Sequence, residues 1–193
     1  MQPIEVLPET LLPRFSYYKR PITNVVPCST ITIFDAYTFI RDVTFSDRLL
    51  KLRTIENVDQ AKQYKRANFD YVTFSGIFEK RKDDKLIQHS GLLTIDLDDL
   101  DEPELVKKIL LKDDYFETAL LFCSPSGDGL KWIIEIDISE CSHTEYFQAI
   151  SNYLKATYHI KVDPSGKDVS RACFIPHDRE CFINPKFYMN YEK

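Results

Sequence analysis

Asp96 and Asp98 stand two residues apart in GLLTIDLDDL (91–100), inside an otherwise apolar, strand-like run. Buried carboxylates are costly unless a cation or hydrogen-bond donors compensate them. On a strand, residues two apart share one face. Downstream, VDP contributes Asp163, SPSGDGLK (124–131) contributes Ser126, Gly127, Gly129 and Lys131, and DVSR contributes Arg171. Carboxylates are hard ligands that suit Mg²⁺ or Mn²⁺. A centre of that kind serves phosphoryl transfer by activating an attacking oxygen and stabilising a leaving one. Glycines at 127 and 129 permit a tight turn whose backbone N–H groups face a phosphate. Ser126 adds a hydroxyl, Lys131 a point charge and Arg171 a two-pronged donor for phosphate. Each segment alone also has a plainer reading: a polar strand end with a helix cap, a hairpin turn, a structural arginine.

The elements that must position these groups read in order. GLLTIDLD is a strand. Asp101 and Glu104 form a capping-box pattern with Pro103 in the first turn, and the helix that follows presents Leu105 and Ile109 on one face. FETALLFC is a second strand, SPSGDG a turn and LKWIIEIDI a third strand. A second capping box, Ser142 with Glu145, opens a helix striped by Phe147, Ile150 and Leu154. HIKVD is a short fourth strand. Residues 91–163 therefore spell β-α-β-β-α-β, the ferredoxin-like or RRM-like arrangement in an α+β protein. Right-handed crossovers put the first and third strands at the centre and the fourth beside the first. Asp96, Asp98, Lys131 and Asp163 then meet at one edge of one sheet face, while Ile95 and Leu97 face the helices.

Residues 1–70 read as a partly helical α/β extension packing on a core that spans 71–193. RFSYYK is expected as an edge strand and 34–68 as helical, with Ser46 and Asn57 as caps. YVTFSGIFE alternates like a single strand, and the charged EKRKDDK after it reads as a turn. Arg48, Lys51, Arg53, Lys62, Lys65 and Arg66, followed by Lys80, Arg81 and Lys82, make a locally basic stretch.

The chain of 193 residues is 44% hydrophobic and 13% aromatic, enough for a core. A net charge of −5 argues against nucleic-acid binding by bulk attraction, though not against a local basic groove. No run is long and apolar enough to span a bilayer, and MQPIEVLPET lacks the basic and apolar regions of a leader. Five cysteines without a CxxC pair fit a reduced chain, so a cytoplasmic location is expected. Cys173, His177 and Cys181, with Cys141 and His143 available elsewhere, have a spacing conceivable for zinc, but the irregular sequence around Pro176 favours buried thiols. His89 reads as a surface or core histidine. Trp132 either packs in the core or stacks on a base.

In these segments the chain resembles the archaeo-eukaryotic primase (primase-polymerase) superfamily. Asp96 and Asp98 match its D-x-D strand motif, Ser126 and Gly127 its Ser-Gly turn, and Val162 and Asp163 its apolar-acid motif. Arg171 matches a later arginine. The closer resemblance is to the primase-like VirE N-terminal domain, through Ser75-Gly76-Ile77-Phe78, His89 to Asp98, Ser124 to Lys131 and Asp163 to Arg171, an ordered series over roughly residues 30–185. The superfamily carries a phosphate-contacting histidine where this chain has Lys131, which holds a phosphate but does not reproduce imidazole geometry. The resemblance implies a nucleotidyltransferase domain in DNA replication of a mobile element or phage. Asp96, Asp98 and Asp163 would be its catalytic ligands for two metal ions, Mg²⁺ or Mn²⁺, in a two-metal transfer to a nucleic-acid 3′-hydroxyl. Ser126, Gly127, Gly129, Lys131 and Arg171 would hold a nucleoside triphosphate. Single-stranded or primed nucleic acid would be the partner, along with a helicase or a fused helicase region; the chain itself has no Walker A pattern. Two alternatives stand beside this: a non-catalytic nucleotide- or nucleic-acid-binding module that serves a helicase, and a metal-dependent phosphohydrolase using the same acids.

Overall fold

The computed structural model describes residues 7–188. Its first part forms β1 (Arg14–Tyr18), β2 (Ser29–Thr32), α1 (Ile33–Arg41), α2 (Ser46–Arg53) and α3 (Val58–Asn68). Helix α1 is opened by a reciprocal cap, with Thr32 accepting from the Asp35 N–H and Asp35 accepting from the Thr32 N–H. Asn57 caps α3 as expected, accepting from the Gln60 N–H. Ser46 does not cap α2; it is already helical, because Asp42 caps the preceding tight turn one step earlier.

After α3 come β3 (Tyr71–Thr73), β4 (Gly76–Phe78), β5 (Leu86–His89), β6 (Leu92–Leu97), α4 (Pro103–Leu110), β7 (Thr118–Cys123), β8 (Leu130–Glu135), α5 (His143–Tyr158), β9 (Cys173–Phe174) and β10 (Phe182–Ile183). One sheet has the order β2-β1-β3-β9, a second β10-β7-β8-β6, and β4 pairs with β5 alone. Every pairing is antiparallel, so the protein is α+β.

Strand β6 explains the long apolar run in the sequence: all six of its residues are buried, because both of its faces are covered. Leu93, Ile95 and Leu97 pack with Trp132 and Ile134 of β8 and with Phe147, Ile150 and Leu154 of α5. Leu92 joins a second core with Phe15, Val72, Phe74, Ile33 and Ile40, so residues on both sides of position 70 share one apolar interior. Each large apolar side chain so buried contributes about 1.5–3 kcal/mol. Trp132 is wholly buried in the helix-facing core, with its indole N–H donating to Thr118 Oγ1 at 2.7 Å.

Several elements differ from the sequence expectation. RFSYYK is not an edge strand; β1 lies between β2 and β3. YVTFSGIFE is two strands, β3 and β4, which belong to different sheets. Asp101 does not cap α4, whose first-turn Pro103 follows Glu102 with no side-chain cap. The buried face of α4 carries Lys107 and Leu110, and Leu105 is exposed. HIKVD forms no strand. Its His159 ends α5 in the left-handed region, and its Asp163 is fastened to β6 by the Asp163 N–H donating to the Asp96 carbonyl at 3.0 Å. Pro164 then diverts it into a tight turn (Pro164–Lys167) capped by Asp163.

The turn between β7 and β8 must approach β6 closely. A Cβ on Gly129 would lie 2.5 Å from the Leu97 carbonyl oxygen, and Gly127 adopts φ +97. Gly129→Ala is expected to cost about 1–3 kcal/mol in urea unfolding, as over-packing does. An unchanged midpoint would contradict this packing.

Candidate functional site

The register of β6 and β8 sets Asp96 directly opposite Lys131. Both side chains leave the sheet on the same face, where the Lys131 ammonium touches Asp96 Oδ1 and lies 3.5 Å from Asp98 Oδ1. Arg171 comes from the loop before β9. Its Nη2 lies 3.0 Å from Asp96 Oδ2 and 3.0 Å from Asp163 Oδ2. The other oxygen of Asp163 accepts the Ser165 N–H at 2.9 Å. One carboxylate oxygen from each of Asp96, Asp98 and Asp163 falls within 4.8 Å of the others.

The loop carrying Arg171 is tied down from the opposite side. The Ser75 hydroxyl donates to the Val169 carbonyl, and the Ser170 N–H donates to Asp83 Oδ1 at 2.9 Å. The turn before β4 and the loop between β4 and β5 thereby anchor the segment that carries the guanidinium.

Burial decides the electrostatics. It pushes the Lys131 ammonium down to about 8. It raises Asp98, helped by the charge of Asp163 and opposed by Lys65 and Arg171. Burial also pushes Asp163 up, but hydrogen bonds from Ser165, with Arg171 and Lys131 nearby, bring it below the usual carboxylate range. Asp96 is 5% exposed and Asp98 48%, so Asp98 is the carboxylate open to an incoming group.

The geometry therefore joins Asp96, Asp98, Asp163, Lys131 and Arg171, all from the sequence set. Ser126 sits apart. It lines an adjoining cavity with Asp99 and Asp128, while Asp96, Lys131 and Arg171 line the first, of about 480 Å³. The Gly127 N–H is engaged by the Ser124 carbonyl at 3.0 Å. Gly127 also packs against the Arg53 guanidinium, which donates from Nε to the Pro125 carbonyl at 3.3 Å. Cys173 and Cys181 are buried free thiols, and the His177 ring bonds the Asp42 carbonyl. Among the described residues, Asp96, Asp98 and Asp163 form the one cluster of three metal-capable side chains, and the zinc set does not assemble.

Three hard oxygens at this spacing fit Mg²⁺ or Mn²⁺. Lys131 and Arg171 engage both oxygens of Asp96, so a metal there must exchange with protein cations.

A histidine pair lies behind the loop. His89 Nδ1 accepts the Gly91 N–H at 3.0 Å, so in neutral His89 the proton is on Nε2, which donates to His143 Nδ1 at 3.1 Å. The pair was illegible in the sequence, since His89 ends β5, which among the described residues pairs only with β4, and no strand register links it to His143 at the start of α5. Burial first, then the neighbouring His89, pushes His143 down to about 4.

Asp96→Ala leaves Lys131 and Arg171 short of a buried partner and is expected to cost about 3–5 kcal/mol in urea unfolding. A loss below about 1 kcal/mol would place the pair among weak surface contacts. The histidines give a pH dependence. Between about 4 and the ordinary 6.5, the unfolded chain binds a proton that folded His143 does not. The His143 contribution to stability is full above 6.5 and falls by about 3 kcal/mol as the pH drops toward 4. His143→Gln should flatten the urea midpoint against pH over that window; an unaltered slope would contradict the assignment.

All of the site residues lie within residues 63–182, which match the profile of the family described as BT4734-like, N-terminal domain. No curated protein and no solved structure matches the chain. The match spans more than half of the sequence, and the chain belongs to the BT4734-like, N-terminal domain family.

Proposed function

We propose that the protein is a primase-polymerase-like nucleotidyltransferase domain acting in DNA replication of a mobile element or phage. It would transfer nucleotides from nucleoside triphosphates to a nucleic-acid 3′-hydroxyl. The observation that carries this reading is the convergence of Asp96, Asp98 and Asp163 within 4.8 Å, with Lys131 and Arg171 on the same carboxylates. The adjacency of β6, β8 and β7, with α4 and α5 as the intervening helices, supports an RRM-like core. Single-stranded or primed nucleic acid and a helicase are the partners this reading calls for. A cytoplasmic location agrees with the free cysteines. No helix of the described residues is long and apolar enough to cross a membrane.

Asp96, Asp98 and Asp163 would hold Mg²⁺ or Mn²⁺, whose chemistry there is Lewis-acid stabilisation of charge on a transferring phosphoryl group. Lys131 and Arg171 bind and orient phosphates. Their release from the carboxylates and their capture by phosphate are one exchange, which keeps every buried charge partnered. Asp98, half exposed at the mouth, admits the substrate.

A second reading, a non-catalytic nucleotide- or nucleic-acid-binding module, is favoured by one observation: both oxygens of Asp96 are already engaged by protein cations. Calorimetry and incorporation separate the two. The first reading expects Mn²⁺-dependent binding of nucleoside triphosphate, lost in Asp98→Asn/Asp163→Asn, and nucleotide incorporation on a primed template by the wild type only. Metal-independent binding without incorporation supports the second. Lys131→Gln should bind Mn²⁺ without nucleotide about tenfold more tightly, because a competing cation of more than about 1.4 kcal/mol is gone; equal or weaker binding would contradict the exchange.

A further inference from the structure

The cavity that holds the carboxylates has a wall that the site residues do not explain. Lys62, Lys65 and Arg66 of α3 line it, together with Arg81 from the loop between β4 and β5. Among the described residues these four make no ion pair, in contrast to Lys131 and Arg171. Six cationic side chains thus face Asp96, Asp98 and Asp168 in this cavity; Lys131 and Arg171 engage Asp96, Lys131 also lies near Asp98, and positive charge exceeds negative six to three. The adjoining cavity has the opposite character. Around Ile55 and Val58 it gathers Glu56, Asp98, Asp99 and Asp128 against Arg53, Lys62 and Lys65. The excess of positive charge is therefore local to one side of Asp98, not a uniformly solvated helix face.

Arg81 and Lys65 are also held in place. The Arg81 guanidinium lies 5.2 Å over the Tyr71 ring and reaches the Ile22 carbonyl, and its buried Nε–H has no partner. The buried Nε–H of Arg171 is likewise without one. Unpartnered buried donors are costly, and both arginines line the cavity. Lys65 sits 5.9 Å from the Phe174 ring, and its charge acts on both Asp98 and Lys131.

We infer that Lys62, Lys65, Arg66 and Arg81 form a polyphosphate subsite, which holds the tail of a nucleoside triphosphate on the α3 side of the carboxylates. This rests on the reading that the site takes a nucleoside triphosphate, and it assigns the tail to residues outside the segments that carry the carboxylates, Lys131 and Arg171. Lysine at 62 and 65 supplies point charges to successive phosphates, and the arginines supply paired N–H donors.

Lys62→Ala/Lys65→Ala is the test variant, since alanine preserves an exposed helix. Arg81→Gln is the second. ATP, inorganic tripolyphosphate and a single-stranded oligonucleotide lacking a triphosphate are each titrated calorimetrically with Mn²⁺ present, and Mn²⁺ is titrated alone. The subsite predicts that both variants lose at least tenfold in affinity for ATP and for tripolyphosphate, with Mn²⁺ binding no weaker than in the wild type. Unchanged ATP affinity in both variants, with Mn²⁺-dependent ATP binding intact, overturns the subsite and leaves the nucleotidyltransferase reading standing. No ATP binding by the wild type overturns both. Oligonucleotide binding that the variants lose, with ATP binding unaffected, assigns the wall to a phosphodiester strand and overturns the triphosphate assignment.

Discussion

The Asp96 carboxylate, buried at the end of β6 between the Lys131 ammonium and the Arg171 guanidinium, is the interaction on which the rest of the site depends. A lone carboxylate at that depth is prohibitively expensive, and so is a lone ammonium. Together they are tolerable, and the arrangement fixes the charge of the whole cluster. Replacing such a pair with apolar residues is often neutral for stability. The reason to keep it is therefore sought in what the charges do. Lys131 and Arg171 are cations that a phosphate would attract, and they sit on the carboxylates that a divalent cation would attract.

The fold explains why the cluster sits where it does. Strand β6 is covered on one face by α5 and on the other by the core that includes β1 and β3. Along the Asp96 face, Leu92 lies within that core, and the polar cluster begins near the other end of the strand, where α3 and the loop before β9 line the cavity. A slip of one residue between β6 and β8 would turn Asp96 toward the helices. Leu93, Ile95 and Leu97 in the apolar core prevent that slip. Packing that has no part in the charged cluster thus sets the register that the cluster needs.

The parts of this arrangement that depend on local pattern were legible in the sequence. The stripe Phe147, Ile150, Leu154 and the Ser142–Glu145 cap announce α5, and both capping hydrogen bonds form. The topology inferred from them brought Asp96, Lys131 and Asp163 to one edge. What failed depended on tertiary competition. HIKVD has strand composition, but Pro164 removes a donor and turns the chain away. YVTFSGIFE alternates continuously, yet the turn at Phe74–Ser75 divides it between sheets. Residue types showed that Lys131 and Arg171 were cations near carboxylates, and a phosphate role was inferred. They did not show that the carboxylates themselves are the partners in the free protein. The hydroxyl of Ser126 in a Ser-Gly turn groups it with these residues in the sequence, but Ser126 lines the neighbouring cavity, and Arg53 donates to the Pro125 carbonyl in the same turn.

The exchange of partners at Asp96 is the centre of this account, and anomalous diffraction from crystals grown with Mn²⁺ and a non-hydrolysable nucleoside triphosphate tests it most directly. The account predicts a manganese peak bound by Asp96, Asp98 and Asp163, with the Lys131 ammonium moved from Asp96 onto phosphate. Nucleotide bound with no manganese at the carboxylates and Lys131 still paired to Asp96 would contradict it.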